Sequence, residues 1–267
     1  MWGAIEAGGT KFICAVGTGP DDLVVSEPIP TTTPRQTLAA VLTFFAPYCL
    51  QAVGVGSFGP VDLAAGRITR TTPKLAWREF ALRKALESAL RVPVYLDTDV
   101  NAAAWGEYRF AGAPDPFLYL TVGTGIGGGG VVNGQLLHGR MHPEMGHLLL
   151  PRAPGDTFPG LCPAHGDCLE GMASGLAIEA RRQTGHEHFA VEYLAAGLLS
   201  LSYAYSPLRI VLGGGVMKTP KLLERIRKRM RTLNAHYAPM PDLLPPKLGD
   251  RSGVLGALAL AISSGSR

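Results

Sequence analysis

Apolar and polar positions in the early part of the chain sort into short blocks with two different periods. Residues 2–16 place apolar side chains in two strand-length runs on either side of Gly8-Gly9-Thr10-Lys11, which predicts an opening hairpin with a glycine turn. From Pro34 to Tyr48 the period lengthens: Leu38, Val41, Leu42 and Phe45 recur at helical spacing, with Thr33 as N-cap and Pro34 in the first turn. Ala52–Gly56 is a short apolar strand running into a glycine-rich bend, and Trp77–Leu90 reads as the next helix. Val92–Leu96 is a strand that ends on Asp97-Thr98-Asp99-Val100-Asn101, and a helix follows from Ala102 to Glu107. Cys14 and Cys49 fit small buried hydrophobes.

Pro114-Asp115-Pro116 has the composition of a boundary between halves. Directly after it, Phe117–Gly134 repeats the opening device of strand, Gly/Thr turn and strand. A chain that starts each half with the same unit is expected to be a duplicated two-lobe α/β protein with a nucleotide between the lobes. The glycine run also contains a GxGxxG-like spacing, but that fingerprint needs a helix at the turn and another strand follows here, which sets a nicotinamide cofactor aside. Gly171–Gln183 and Glu192–Tyr205 read as helices, and Arg209–Leu212 as a buried strand breaking on Gly213-Gly214-Gly215. Leu222, Leu223, Ile226, Met230 and Leu233 mark the buried side of a further helix. Gly253–Ile262 is an apolar helix whose place is back in a core.

Composition narrows the class. With 267 residues, 46% hydrophobic and 17% charged, the chain can bury substantial cores in two lobes. Its net charge is +4, and the dense basic run Arg225–Arg231 belongs to the wet face of a helix with no interleaved aromatics, so nucleic acid is not an expected partner. The apolar run Gly253–Ser263 is too short to cross a bilayer, and the strand-like start leaves no room for a signal peptide; a cytoplasmic protein without a membrane partner is expected.

Ligand-type side chains concentrate between His142 and Glu170. Cys162, His165 and Cys168 stand at three-residue spacing, with His147 fifteen positions upstream of Cys162, which is the donor set of a closed tetrahedral zinc site. A Cys162–Cys168 disulfide and two unrelated thiols are the alternatives. Glu144 and Glu170 are interleaved with the donors although a structural clip does not need them, which suggests that the clip holds something else in place. The strand end at Asp97–Asn101 is a second candidate, because open α/β sheets put their chemistry outside the carboxyl ends of strands; either Asp could instead be a helix N-cap. In the turn Gly8–Lys11 adjacent glycines let backbone N–H groups approach an anion, while Thr10 and Lys11 add a hydroxyl and a cation; an ordinary hairpin turn would look alike. The break at Gly213–Gly215 allows a base or ribose to lie near the backbone, as would a plain strand-to-helix turn.

Taken together, Glu6-Ala-Gly-Gly-Thr-Lys11, Asp97-Thr-Asp-Val-Asn-Ala-Ala-Ala104, Thr121-Val-Gly-Thr-Gly-Ile-Gly127, Glu144-Met-Gly-His147 and Cys162–Glu170 resemble the ROK family of bacterial sugar kinases and repressors over nearly the whole chain, and within it the fructokinase branch. The resemblance implies the duplicated ribonuclease H-like fold of the actin/hexokinase/Hsp70 type, with ATP and sugar in the interlobe cleft. It implies residues 1–113 plus 252–267 as the N-terminal lobe, to which the last helix returns, and 114–251 as the C-terminal lobe with the zinc loop. It also implies a structural Zn2+, Mg2+ and usually a homodimer. Glu6 stands where many members have Asp, and Thr98 where glucokinase-like members have Asn; the second change removes an amide for a pyranose hydroxyl and weighs against glucose. His165 replaces part of a commoner Cys-x-Cys loop and is itself a good zinc ligand.

What the resemblance implies for the site follows residue by residue. Asp99 is the base that takes the proton of a primary sugar hydroxyl, and Asn101, Glu144, His147 and Glu170 bind the sugar. Gly8, Gly9, Thr10 and Lys11 hold the phosphates from one lobe and Thr121, Gly123, Thr124 and Gly125 from the other, with Gly213, Gly214 and Gly215 beside the adenosine. His147, Cys162, His165 and Cys168 bind zinc, and Glu6 holds hydrated Mg2+. The expected activity is ATP-dependent phosphorylation of a hexose, fructose first, with mannose, glucose or an N-acetylhexosamine as alternatives. The competing class is a non-catalytic sugar-responsive regulator; the repressors carry an N-terminal DNA-binding extension, which the early first strand leaves no place for.

Overall fold

The computed structural model describes residues 1–265, with side chains through Ser263. In chain order its strands are β1 (Trp2–Ala7), β2 (Lys11–Gly17), β3 (Val24–Val25), β4 (Ile29–Pro30), β5 (Val53–Ser57), β6 (Val61–Asp62), β7 (Arg67–Ile68), β8 (Val94–Thr98), β9 (Phe117–Val122), β10 (Ile126–Val132), β11 (Gln135–Leu136), β12 (Arg209–Gly213) and β13 (Asp242–Leu244). Its helices are α1 (Pro34–Phe45), α2 (Leu82–Leu90), α3 (Asp99–Ala111), α4 (Leu169–Ala173), α5 (Gly175–Arg182), α6 (Phe189–Tyr205), α7 (Leu222–Asn234) and α8 (Ser252–Gly265).

These elements group into two compact units, one of residues 1–113, 136–142 and 247–267 and the other of residues 114–135 and 143–246. The first sheet runs β3-β2-β1-β5-β8, with β4 also on β2, and the second runs β11-β10-β9-β12-β13. In both, an antiparallel hairpin (β1–β2, β9–β10) is extended by parallel strands (β5 and β8, β12 and β13), so one topology occurs twice. Two short pieces join the first unit although the sequence boundaries put them in the second lobe. Residues 136–142 are tied to it by His138 Nε2, 2.8 Å from Asp97 Oδ2. Lys247 and Leu248 donate backbone N–H groups to the buried Glu107 carboxylate in α3, at 3.1 and 2.9 Å, and the Ser252 hydroxyl joins them at 2.9 Å.

Side-chain alternation splits the first sheet into unlike faces. Ile5, Phe12, Cys14, Val16, Val53 and Val55 enter a large core with Val41 and Phe45 of α1 and Leu82 and Leu86 of α2. The opposite face is built from Ala4 and Ala15, against which Val254, Leu255, Ala257 and Leu258 of α8 pack. Such small residues let helix backbone approach closely. A methyl on Gly54 would stand 1.9 Å from the Ala257 carbonyl oxygen, and one on Gly256 would stand 1.7 Å from that of Ala102 in α3.

Several local expectations change. Trp77 does not start α2: it ends a single 3-10 turn (Leu75–Trp77), because its indole is buried and donates to Thr32 O at 2.8 Å. The predicted helix 171–183 breaks at Ser174, whose extended backbone caps α5. Leu233 is exposed and Asn234 takes the buried position in α7. Cys49 lies exposed after α1 has ended at Phe45, while Cys14 is buried. Among the described residues no helix is long and apolar enough to cross a membrane.

The close contact of α3 and α8 generates a stability prediction. Gly256→Ala puts a methyl where backbone already is, and we expect it to destabilise the protein by about 1–3 kcal/mol. Urea denaturation of the variant and wild type measures this; equal midpoints would show that the helices can separate without cost.

Candidate functional site

The parallel strands β1, β5 and β8 set Glu6, Gly56 and Asp97 side by side in register. At about 5 Å per strand this puts the Gly8 turn and the start of α3 at one edge of the sheet, roughly 10 Å apart. Neither Asp caps α3. Thr98 has the extended N-cap backbone and its Oγ1 accepts from Asn101 N at 3.1 Å, so both carboxylates are released from that duty. Asp99 is the first helical residue, partly exposed, and its Oδ1 accepts from Val100 N at 2.9 Å; the helix dipole favours its negative charge.

Asp97 is buried and fully engaged: Oδ1 accepts from Thr98 N at 2.8 Å and from Asn101 Nδ2 at 2.9 Å, and Oδ2 faces His138. Asn101 is itself completely buried and spends its amide nitrogen inside the protein. The turn after β1 is closed by Gly8 N donating to Lys11 O at 3.0 Å, and the Thr31 hydroxyl donates to Gly8 O at 2.7 Å. Thr10 and Lys11 are exposed there, and the Lys74 Cε lies 3.4 Å from where a side chain on Gly9 would begin. Burial, and after it the Asp99 charge, pushes the Glu6 carboxyl up to about 7 despite Lys11 and a backbone hydrogen bond from Val254.

The second unit gathers the remaining candidates. Gly123 N donates to Gly125 O at 2.9 Å, and Gly175 N, at the start of α5, donates to Gly123 O at 2.7 Å. Thr121 and Gly213 are register partners in β9 and β12, so Gly214 and Gly215 leave the sheet beside the Thr121–Gly125 turn, where Thr124 is exposed. Glu170 of α4 accepts from Ile126 N at 2.8 Å through Oε2, and a methyl on Gly125 would stand 2.5 Å from that oxygen. Burial, then the like charge of Glu170, raises the Glu144 pKa.

His147, Cys162, His165 and Cys168 place one donor atom each within 4.8 Å of one another. His147 Nδ1 is 3.5 Å from Cys168 Sγ and 3.6 Å from Cys162 Sγ, and His165 Nδ1 is 3.7 Å from Cys162 Sγ. Two ligands at Zn–S and Zn–N bond lengths and the tetrahedral angle are about 3.6 Å apart, so the donors fit that ion. All four cysteines are free, which removes the disulfide alternative for Cys162 and Cys168. The other ring nitrogen of His147, Nε2, points to Glu144 Oε2 at 4.0 Å. The loop leading to Cys162 is held by a buried pair: Arg181 donates to both Asp156 oxygens at 2.9 and 2.8 Å, and the Tyr193 hydroxyl donates to Asp156 at 2.6 Å. Burial alone would push the Asp156 carboxyl up; the Arg181 and Tyr193 hydrogen bonds outweigh it and hold the group well below the usual carboxylate range.

The structure thus brings Glu6, Gly8–Lys11, Asp99 and Asn101 together in the first unit, and Thr121–Gly125, Glu144, His147, Glu170, the metal donors and Gly213–Gly215 in the second. Sequence reasoning missed His138, Lys74 and the Asp156–Arg181 pair. Each meets its neighbours only through long-range folding, and none sits in a motif; the single local signal was a second Asp left over once a cap had been assigned.

A model described as the ROK family matches residues 2–192 and 186–264. The chain is 40% identical to a fructokinase of Pediococcus pentosaceus over 98% of this chain and 97% of that protein. It is 38% identical to a fructokinase of Zymomonas mobilis over 99% and 97% of the two chains. Among solved structures, a ROK hexokinase from Thermus thermophilus superposes with a TM-score of 0.82 at 31% identity, covering 99% of this chain and 98% of the other.

The raised Glu6 pKa has a definite sign in stability. A carboxyl that titrates near 7 when folded and near 4.5 when unfolded is penalised in its charged form, so stability falls as pH rises between those values. We expect Glu6→Gln to reduce that fall, seen in urea denaturation at pH 4 and pH 8 without Mg2+. A wild type that loses no more stability than the variant over that span would show that Glu6 is ionised throughout.

Proposed function

The chain belongs to the ROK family, and from that premise we propose that it is a fructokinase, transferring the γ-phosphoryl group of ATP to a primary hydroxyl of fructose. The observation that carries the mechanism is the first turn of α3, where Thr98 does the capping and Asp99, the one partly exposed residue among buried neighbours, is not spent on the cap. Asp99 is the base for the incoming hydroxyl. Phosphoryl transfer otherwise needs positioning and charge neutralisation, and these fall to the backbone N–H groups, hydroxyl and single cation of Gly8–Lys11, to Thr121–Gly125, and to Gly213–Gly215 beside the adenosine. Mg2+, when bound with ATP, neutralises phosphate charge. Glu6 would hold it, since a buried carboxyl pushed to about 7 gains most from a cation nearby.

The sugar is bound by Glu144, His147 and Glu170, whose oxygens and imidazole accept and donate directional hydrogen bonds to neighbouring hydroxyls. His147 serves two partners: Nδ1 faces the sulfurs of Cys162 and Cys168 and Nε2 faces Glu144, so a bound zinc would fix the ring orientation that the sugar meets. Zinc held by His147, Cys162, His165 and Cys168 is structural, and the transfer step belongs to Asp99 and the phosphate-binding groups. Asn101, fully buried, supports the turn that carries Asp99.

A coupled assay of ADP release over fructose, mannose, glucose and N-acetylhexosamines is expected to show fructose as the best substrate; if none of these sugars stimulates ADP release, the kinase reading gives way to a binder. Asp99→Asn should lower kcat by about 10^2 to 10^4 while fructose binding by calorimetry persists. A near-wild-type kcat would take the base role from Asp99. Purified protein should carry one zinc per chain by elemental analysis. Losing a structural ion forfeits on the order of 10 kcal/mol of apparent binding energy, so Cys168→Ala or prolonged chelation should lower both thermal stability and fructose affinity. Metal-free protein with unchanged melting would reject the site.

A further inference from the structure

Asp97 is a buried carboxylate of the first unit with no role so far, and its partner His138 comes from a segment that belongs to this unit only from 136 to 142. The imidazole Nε2 lies 2.8 Å from Asp97 Oδ2 and 3.2 Å from Asn101 Nδ2. Asp97 Oδ1 in turn holds Thr98 N and Asn101 Nδ2, the residues on either side of Asp99 and Val100. The turn that bears Asp99 is therefore gripped at both ends by one carboxylate, and that carboxylate is completed by a histidine from elsewhere in the chain. The same segment continues through Pro143 into Glu144 and His147.

We propose that Asp97 and His138 are positioning residues for phosphoryl transfer: their hydrogen bond clasps residues 136–142 against the first turn of α3 and fixes the direction in which Asp99 presents its carboxylate. The proposal rests on the kinase reading above. A base whose reacting atoms must be placed within a few tenths of an ångström is sensitive to such support, since small misplacements remote from the chemistry are expensive in rate.

The charge state of the clasp can be followed. The hydrogen bond to Asp97 raises the pKa of His138 against the opposing effect of burial. The ring is part of the wall of a cavity of about 660 Å³, together with Asp97, Asp62, Arg140 and Met141, so solvent can deliver and remove its proton. The groups around it are Asp97 from β8, Asn101 from α3 and His142 from its own segment, with Arg140 and, from β6, Asp62 on the wall of the same cavity. The ionic form is fully present below the ordinary value of 6.5 and is lost as pH rises through the raised one. Above it, neutral His138 can still donate from Nε2, so the clasp weakens without opening.

The test is steady-state kinetics with fructose and MgATP from pH 6 to 9. His138→Leu is expected to lower kcat by about 10- to 10^2-fold while KM for fructose changes by less than about threefold. His138→Gln, which keeps a donor but cannot titrate, should hold kcat within about threefold of wild type and lose the decline of kcat at alkaline pH. Asp97→Asn should move that decline to lower pH by releasing the histidine to its ordinary value. A wild-type kcat in His138→Leu, or an alkaline limb unchanged in His138→Gln, overturns the proposal. Should the Leu variant fail to fold, the pH profiles of the Gln and Asn variants decide alone. An inactive wild type would instead defeat the kinase reading, so the two failures are distinct.

Discussion

Backbone-to-backbone proximity between α3, α8 and one face of the first sheet is the constraint on which the site depends. Glycine and alanine at Gly54, Ala4, Ala15 and Gly256 keep the sheet's side of the contact small, so that α8 backbone comes up against the strand at Gly54 and against α3 at Gly256. That fixes the axis of α3 and, with it, the position of Asp99 at its first residue. The opposite face can be filled with Phe12, Phe45 and Trp77, because nothing on that side has to be placed finely. Buried polar groups then lock the arrangement: the Glu107 carboxylate collects the backbone at the start of α8, and Asp97 collects the start of α3. An unpaired carboxylate in either place would cost more than the hydrogen bonds return, so both are fully satisfied.

The second unit solves a different problem by different means. Its loop 143–168 has little regular structure, being one 3-10 turn at Met145–His147 and isolated bridges at Leu149–Cys168 and Cys162–Gly166. A segment of that kind orders poorly by hydrophobic burial alone. Four soft donors converge at one end of it, and the Arg181–Asp156–Tyr193 set holds its middle. Glu144 and Glu170 thus inherit their positions from neighbours most of which, His147 apart, have no contact with substrate in the proposed mechanism.

Much of this was legible from the residues because it is written locally. The repeated strand–turn–strand unit, the metal donors and the acidic turn all lie within short stretches, where spacing maps directly onto geometry. The misreadings share the opposite property. Whether Asp97, Thr98 or Asp99 caps a helix depends on backbone angles one residue apart, and the presence of two acids made the hydroxyl between them easy to pass over. The 3-10 turn at Trp77 follows from an indole that reaches Thr32, and Cys49 is exposed because α1 stops a turn earlier than its periodicity suggested. His138 could not be assigned a role in advance, since its partner is 41 residues away in sequence.

The route of the chain carries a last consequence for how the molecule is made. The first unit begins at β1 but is not complete until α8 has been synthesised, because Val254, Leu255, Ala257 and Leu258 are what cover the alanine face of its sheet. Residues 143–246, by contrast, are contiguous and leave the ribosome before that helix does. During synthesis the N-terminal sheet therefore waits with one apolar face uncovered while the later unit can already assemble, a reversal of the usual N-terminal-first order of folding.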